Sequence, residues 1–457
     1  MLTRSRIIDR VWAPALLVLA VYGIWLCVAF QSGRDPRTFV RMGLRYLEKS
    51  HASAVIKVDR RFQYYPPNVG GYDGQYYYYI ALDPAKARYY MDQPTYRYTR
   101  ILYPITARLL ALGQPELVPY SLILINWLAI AGGTLAVAAW LRRRRVSPWF
   151  ALVYGLFPGL FISLQRDLAE PLAFGLTAFG VYLLACKGNH RVIWAGLTFG
   201  LAALTRETTV IFPAIYGLGM LLHRSGPSEG ALLSDSERNR RDAKTLLAMA
   251  LAPIAIYKLF LVIWLAGGTA GMAAAMLPAL VPFAGFTSWP LNASRINELI
   301  SVITPGIVCA LAALWKFRSR GNRVELWLLL ANVQLFVVML NHLSYVGFGG
   351  SGRVTTGVVL SALYCLPLFD HRHFMGIWWL WACCFCWMFL WPSIAVFSDN
   401  PLGIPNVTVG LALIVLLSRM TASPQPTVST SLPDRVPLGL RTLDRIRSSI
   451  TTPQSIP

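Results

Sequence analysis

Long apolar runs separated by short polar turns set the plan of this chain. The first run, 11–30, follows a basic start. It is longer than the apolar core of a cleavable signal, and no small-residue cleavage site follows it. It predicts a retained first helix with the N-terminus on the cytoplasmic side. Residues 31–99 are too polar to cross a bilayer and form a long first external loop, within which 37–50 predicts an amphipathic surface helix. Residues 100–113 are half apolar and predict a surface or re-entrant helix. Further spans follow at 119–141, 147–165 and 172–185. Two short runs come next, VIWAGLTFGLAAL and TTVIFPAIYGLGMLL, joined by the turn TRE at 205–207. Residues 223–244 predict a basic loop, and 245–266 the seventh span. A Gly/Ala/Pro-rich stretch reaching 297 predicts a second external loop lying against the bilayer. The remaining spans fall at 298–315, 325–340, 354–369, 374–397 and 405–418.

The pattern predicts an all-α polytopic membrane protein with about 12 transmembrane helices, a membrane domain over 1–418 and a disordered cytoplasmic tail over 419–457. Composition agrees: 55% of residues are hydrophobic and only 14% charged, against about 25% charged in soluble domains. The net charge of +21 would suggest nucleic acid in a soluble protein. Here the basic residues sit in short loops such as Arg142–Arg145, so topology and anionic lipid explain them and no nucleic-acid partner is expected. Both termini then fall in the cytoplasm. Cys383, Cys384 and Cys386 lie in an apolar run without His or acid and read as buried cysteines, not a metal site.

The informative charges are those on the external ends of the spans. Arg166 stands with Asp167 and Glu170, Arg206 with Glu207, and Arg295 with Glu298. Ionisable groups at membrane depth are costly and mark sites, while each Arg–acid pair also reads as an ion pair pinning two helices. Capping accounts for Glu170 beside Pro171, and a helical Asp167–Glu170 spacing puts both carboxylates on one face. Arg353 follows GGSG at 349–352, read as part of an external loop whose glycines expose backbone N–H groups, with no acid near it in sequence, which makes it the first choice for a phosphate. In the first external loop, GYDGQYYYYIALDP at 71–84 sets Asp73 between glycines and ahead of four tyrosines. Alone, Asp73–Gly74 reads as a turn. The surrounding Asp83, Asp92, Tyr96, Arg97, Tyr98 and Arg100 make the segment too aromatic and basic for a linker.

Four pieces, YDGQYYYYIALDP at 72–84, RYTRILYP at 97–104, RDLAEPLAF at 166–174 and ALTRETTVIFP at 203–213, resemble the GT-C superfamily of membrane glycosyltransferases. The likeness is closest to bacterial cell-surface glycopolymer formation proteins and more distant to GPI-type mannosyltransferases. It covers residues 1–215 and extends beyond them only as hydropathy. The resemblance implies a GT-C-like bundle in a bacterial inner membrane, with the first loop periplasmic and Asp73 as the catalytic base. It also implies a polyprenyl-phosphate sugar as donor and a glycan or glycolipid as acceptor. Arg353, Arg206 and Arg100 then bind the donor phosphate. Tyr72, Gln75, Tyr76, Tyr77, Tyr79, Asp167, Glu170 and Glu207 line the sugar or acceptor pocket. Many GT-C loops carry paired acids, whereas the next acid after Asp73 here is Asp83, so no metal ligand is assigned and a divalent cation stays an open question. Two other classes fit the same features: a lipid-sugar flippase, and a non-catalytic subunit of a polysaccharide assembly machine.

Overall fold

The computed structural model describes residues 10–31, 33–43, 70–222, 235–265, 278–320 and 323–368. These belong to one unit, Met1–Thr421, and the second unit, Ala422–Pro457, lies outside the described residues. The described chain is helical throughout, with no strand element. Three helices among the described residues are long and apolar enough to cross a membrane: Ala13–Gln31, Pro115–Arg143 and Glu237–Trp264. This gives a helical protein with the make-up of a membrane protein.

The expected twelve spans resolve differently at several places. The 147–165 span is two helical pieces, Pro148–Gly155 and Pro158–Gln165, bent by 46°. Phe157 between them is extended (ψ 127°), because a proline disfavours the helical conformation of the residue before it. Helices Glu170–Leu184 and Arg191–Thr205 have 15 residues each, which at 1.5 Å per residue is short of a bilayer core of about 30 Å. The basic loop expected over 223–244 is helical from Asp235, where Asp235–Trp264 begins. Of the amphipathic helix expected over 37–50, the first part is instead one 3-10 turn, Pro36–Phe39, without a helix over 40–43, and 44–50 lie outside the described residues. The half-apolar segment 100–113 does form a helix, Leu102–Leu110. The spans at 374–397 and 405–418, the cysteine cluster and the tail also lie outside the described residues.

The packing that builds the site joins distant parts of the chain. The stretch expected as a GGSG loop is a short helix, Phe348–Val354. It lies on Pro158–Gln165 so closely that a Cβ on Gly159 would stand 2.4 Å from the Gly352 carbonyl oxygen. The GGSG segment is therefore a helix contact face and not a loop that exposes its N–H groups. From the other side, Glu298 accepts a hydrogen bond from Ser351 Oγ at 2.8 Å and pairs with Arg295. Helix Gly74–Leu82 packs on Leu102–Leu110, and its first residue meets the turn after Gln165: a Cβ on Gly74 would stand 2.3 Å from the Arg166 carbonyl oxygen. Asp73, Arg166 and Arg353 thus arrive at one place from three regions of sequence.

Candidate active site

Asp73 is the N-cap residue of helix Gly74–Leu82, but its side chain makes no cap hydrogen bond. Both carboxylate oxygens are held by arginines instead. Arg97 Nη1 donates to Oδ1 at 2.9 Å and Arg353 Nη2 donates to Oδ2 at 2.9 Å. Burial alone raises the Asp73 pKa, but the Arg97 and Arg353 guanidiniums outweigh it and hold the carboxyl well below the usual carboxylate range. Arg97 is fixed on its far side by Asp92, through Nε and Nη2 at 2.9 Å each, and its guanidinium carbon lies 4.1 Å from the Tyr76 ring centroid.

Arg353 continues the network inward. Its Nη1 stands 3.5 Å from Glu170 Oε1, and Arg206 Nη1 pairs with that same oxygen. Glu170 is fully buried. Beside this chain of charges, Arg100 grips Glu207 with two bonds, Nε to Oε2 at 3.2 Å and Nη2 to Oε1 at 3.0 Å, and donates through Nη1 to the Tyr77 hydroxyl at 3.2 Å.

Several expected partners are corrected by this arrangement. Arg206 pairs with Glu170, not with its neighbour Glu207, because extended Arg206 (φ −156°, ψ 118°) precedes a 3-10 turn and adjacent side chains point apart. Glu207 belongs to Arg100. Arg353, expected to be free of acids, lies against two of them, Asp73 and Glu170, once the chain folds. Glu170 is not a cap: Ala169 holds that position and Glu170 is already helical. Asp167 does not share a helical face with it, because Asp167 sits in a turn with φ +48°.

The tyrosines divide by role. Tyr72 donates its hydroxyl to the Gly349 carbonyl oxygen at 3.2 Å and offers its ring to two arginines. Tyr76 lies under Arg97, and Tyr77 accepts from Arg100 through its hydroxyl. Tyr79 is 1% exposed and packs on Tyr90 in the core. Gln75 serves the backbone, donating to the Gly70 carbonyl oxygen at 2.6 Å and accepting from the Gly43 N–H at 3.1 Å. Asp83 stands at the far end of helix Gly74–Leu82, where it accepts from the Ala85 and Lys86 N–H groups. Among the described residues no three His, Cys, Asp or Glu side chains converge as a metal site.

Arg166 reads from sequence only as half of an ion pair, and the structure makes it a site residue. It is 8% exposed, yet no carboxylate reaches it among the described residues. Its guanidinium carbon stands 4.2 Å from the Tyr72 ring centroid. A cation over a ring gains about 0.5–2 kcal/mol, less than the several kcal/mol that burying an ion costs. Its neighbour Asp167 is fully buried with neither oxygen bonded, and burial pushes that carboxyl up. The one signal in the sequence is the run Arg166–Asp167 itself, which reads as a pair.

The site is therefore a string of alternating charges, Asp92–Arg97–Asp73–Arg353–Glu170–Arg206, that runs from exposed Asp92 inward to buried Glu170 and Arg206, with unmatched Arg166 beside it. It can hold an anion and can present a carboxylate to a hydroxyl. No family model, curated protein or solved structure matches the chain.

Proposed function

We propose that this chain is a GT-C-like membrane glycosyltransferase of about 12 spans in a bacterial inner membrane. It transfers a sugar from a polyprenyl-phosphate donor to a glycan or glycolipid acceptor on the external face. The observation that carries this reading is the Asp73 carboxylate held between Arg97 and Arg353, each at 2.9 Å. In the resting site Asp73 is ionised and fully occupied. When a donor phosphate binds, Arg353 turns from Oδ2 to the phosphate, and the freed oxygen accepts the proton of the acceptor hydroxyl. That hydroxyl oxygen forms its bond to the anomeric carbon, and the bond from that carbon to the phosphate oxygen breaks. The electron pair leaves with the phosphate, whose growing charge Arg353 neutralises. Base assistance of this kind is worth roughly 10²–10⁴-fold.

A lipid-linked substrate is supported by a groove of about 470 Å³ between helices Val118–Arg143 and Glu170–Leu184. Apolar residues line it, including Ala129, Ala136, Leu172, Leu176 and Phe179. Leu172 lies in the first turn of the helix that Glu170 opens, so one end of the groove is at the level of the charges, on another face of that helix.

The test is transfer of radiolabelled sugar from a polyprenyl-phosphate donor by purified protein in liposomes, wild type beside Asp73→Asn. Transfer by the wild type alone is expected. Full transfer by the variant would remove Asp73 as base. A flippase is the second reading, favoured by the broken Pro148–Gln165 segment, since transporters use discontinuous helices. Labelled lipid appearing in the opposite leaflet without transfer would move the assignment there.

A further inference from the structure

We infer that Arg166, together with Arg353 and the Tyr72 ring that both guanidiniums approach, forms a phosphate-binding site in which Arg166 is the residue that first receives the anion. This deepens the transferase reading and rests on it for the identity of the donor, though not for the binding of an anion.

Three observations carry it. First, Arg166 is a permanent cation that is more than nine-tenths buried and is compensated by no carboxylate among the described residues. Every other arginine of the site has an acid: Arg97 has Asp73 and Asp92, Arg100 has Glu207, Arg206 has Glu170, and Arg353 has Asp73. Second, the guanidiniums of Arg166 and Arg353 share one aromatic ring, at 4.2 and 5.6 Å from the Tyr72 centroid. Two like charges near one ring repel, and Asp73 and Glu170 compensate only the Arg353 side. The Nε atoms of both arginines are buried without an acceptor. Third, the fold keeps the nearest acid away from Arg166. Asp167 adopts φ +48°, a costly conformation for a residue other than glycine, and its carboxylate makes no bond to Arg166. The hydroxyl of Tyr72 is tied to Gly349, so the ring is held in place without the anion.

The geometry selects a phosphate group. Two planar guanidiniums match the several acceptor oxygens of one tetrahedral anion, as a single lysine does not. The same chemistry is offered by a phospholipid headgroup and by free phosphate, and the experiment separates them.

Full-length protein in a maltoside detergent, which carries no phosphate, is titrated with inorganic phosphate by calorimetry. A second arm uses native mass spectrometry to count phosphatidic acid retained from mixed nanodiscs. Arg166→Gln is expected to weaken the bound anion by roughly tenfold to a hundredfold, the size of a lost charge-assisted contact. Arg166→Lys, which keeps the charge but not the fork, falls between, and Arg144→Gln, a basic change elsewhere, leaves affinity unchanged. Retention of phosphatidic acid with no heat from inorganic phosphate assigns the site to a lipid headgroup; the reverse assigns it to a soluble phosphate. Equal affinities in wild type, Arg166→Gln and Arg166→Lys overturn the inference, as does failure of the wild type to bind either anion. The two readings fail separately. Anion binding lost in Arg166→Gln with no sugar transfer by the wild type keeps this site and removes the transferase. Transfer with an unchanged KM for donor in Arg166→Gln keeps the transferase and removes this site.

Discussion

Arg353 Nη2 donates to Asp73 Oδ2 at 2.9 Å across 280 positions of sequence. This contact ties the segment that opens helix Gly74–Leu82 to the helix Phe348–Val354, and it leaves the candidate base without a free oxygen at rest. It makes the pair a structural clasp and, in the proposed reaction, the part of the site that opens.

The clasp is measurable as a coupling. Asp73→Asn and Arg353→Gln each lower the thermal midpoint of the protein in detergent, and the double variant is no less stable than the worse single one. The expected coupling is about 0.5–3 kcal/mol, the range for residues in direct contact. Additive losses would show that the pair contributes nothing to stability.

The pH dependence of this contribution has a definite sign. The folded-state pKa of Asp73 is depressed by Arg97 and Arg353, after burial has acted in the opposite direction. Its stabilisation is therefore fully present above the unfolded aspartate value of about 3.9. It is lost as pH falls below that value towards and through the folded one. Thermal midpoints of wild type and Asp73→Asn should differ by a constant amount from about pH 8 to about pH 5, and the gap should narrow below about pH 4. A gap that widens on acidification would contradict the assignment.

Glu170 is the more sensitive carboxylate for folding. It is fully buried and is shared by Arg206 and Arg353, whereas Glu207 is 26% exposed in its side chain and serves Arg100. Breaking a buried pair costs about 3–5 kcal/mol. Glu170→Gln should therefore lower the midpoint more than Glu207→Gln, and the reverse order would show that the site is more hydrated than its burial indicates.

Gly74→Ala sets two effects against each other. Helix propensity favours alanine by about 1 kcal/mol inside a helix. Against that, the new Cβ would lie 2.3 Å from the Arg166 carbonyl oxygen, a backbone atom that has no rotamer to yield. The clash outweighs the gain in propensity, so the variant should be destabilised by roughly 1–3 kcal/mol, as overpacked sites typically are. A midpoint equal to or above that of the wild type would mean that the loop and the turn do not pack as described.

Much of the plan is legible in the chain. Asp73 stands out by its glycines and tyrosines, and the helix Gly74–Leu82 follows the YDGQYYYYIALDP run directly. The short runs around TRE are short helices, and helices open at Pro119, Pro148, Pro158 and Pro171 as their position in the first turn allows. Pairings are where the chain misleads. Arg206–Glu207 and Arg166–Asp167 look like ion pairs because they are adjacent, but adjacency separates side chains in an extended segment and in a left-handed turn alike. GGSG looks like a loop because glycine is a poor helix former, but here the missing side chains let two helices meet.

Local composition and periodicity are enough to say where the apolar runs lie, and which polar segment carries an acid among aromatic and basic residues. Which charge meets which is settled only in the folded chain. Ion pairing depends on distance in space, and Asp73, Glu170, Arg206 and Arg353 come from separate turns whose approach is set by the packing of Gly159 on Gly352 and of Gly74 on the Arg166 carbonyl. That same packing leaves Arg166 buried without an acid among the described residues, a property that belongs to no single stretch of the chain.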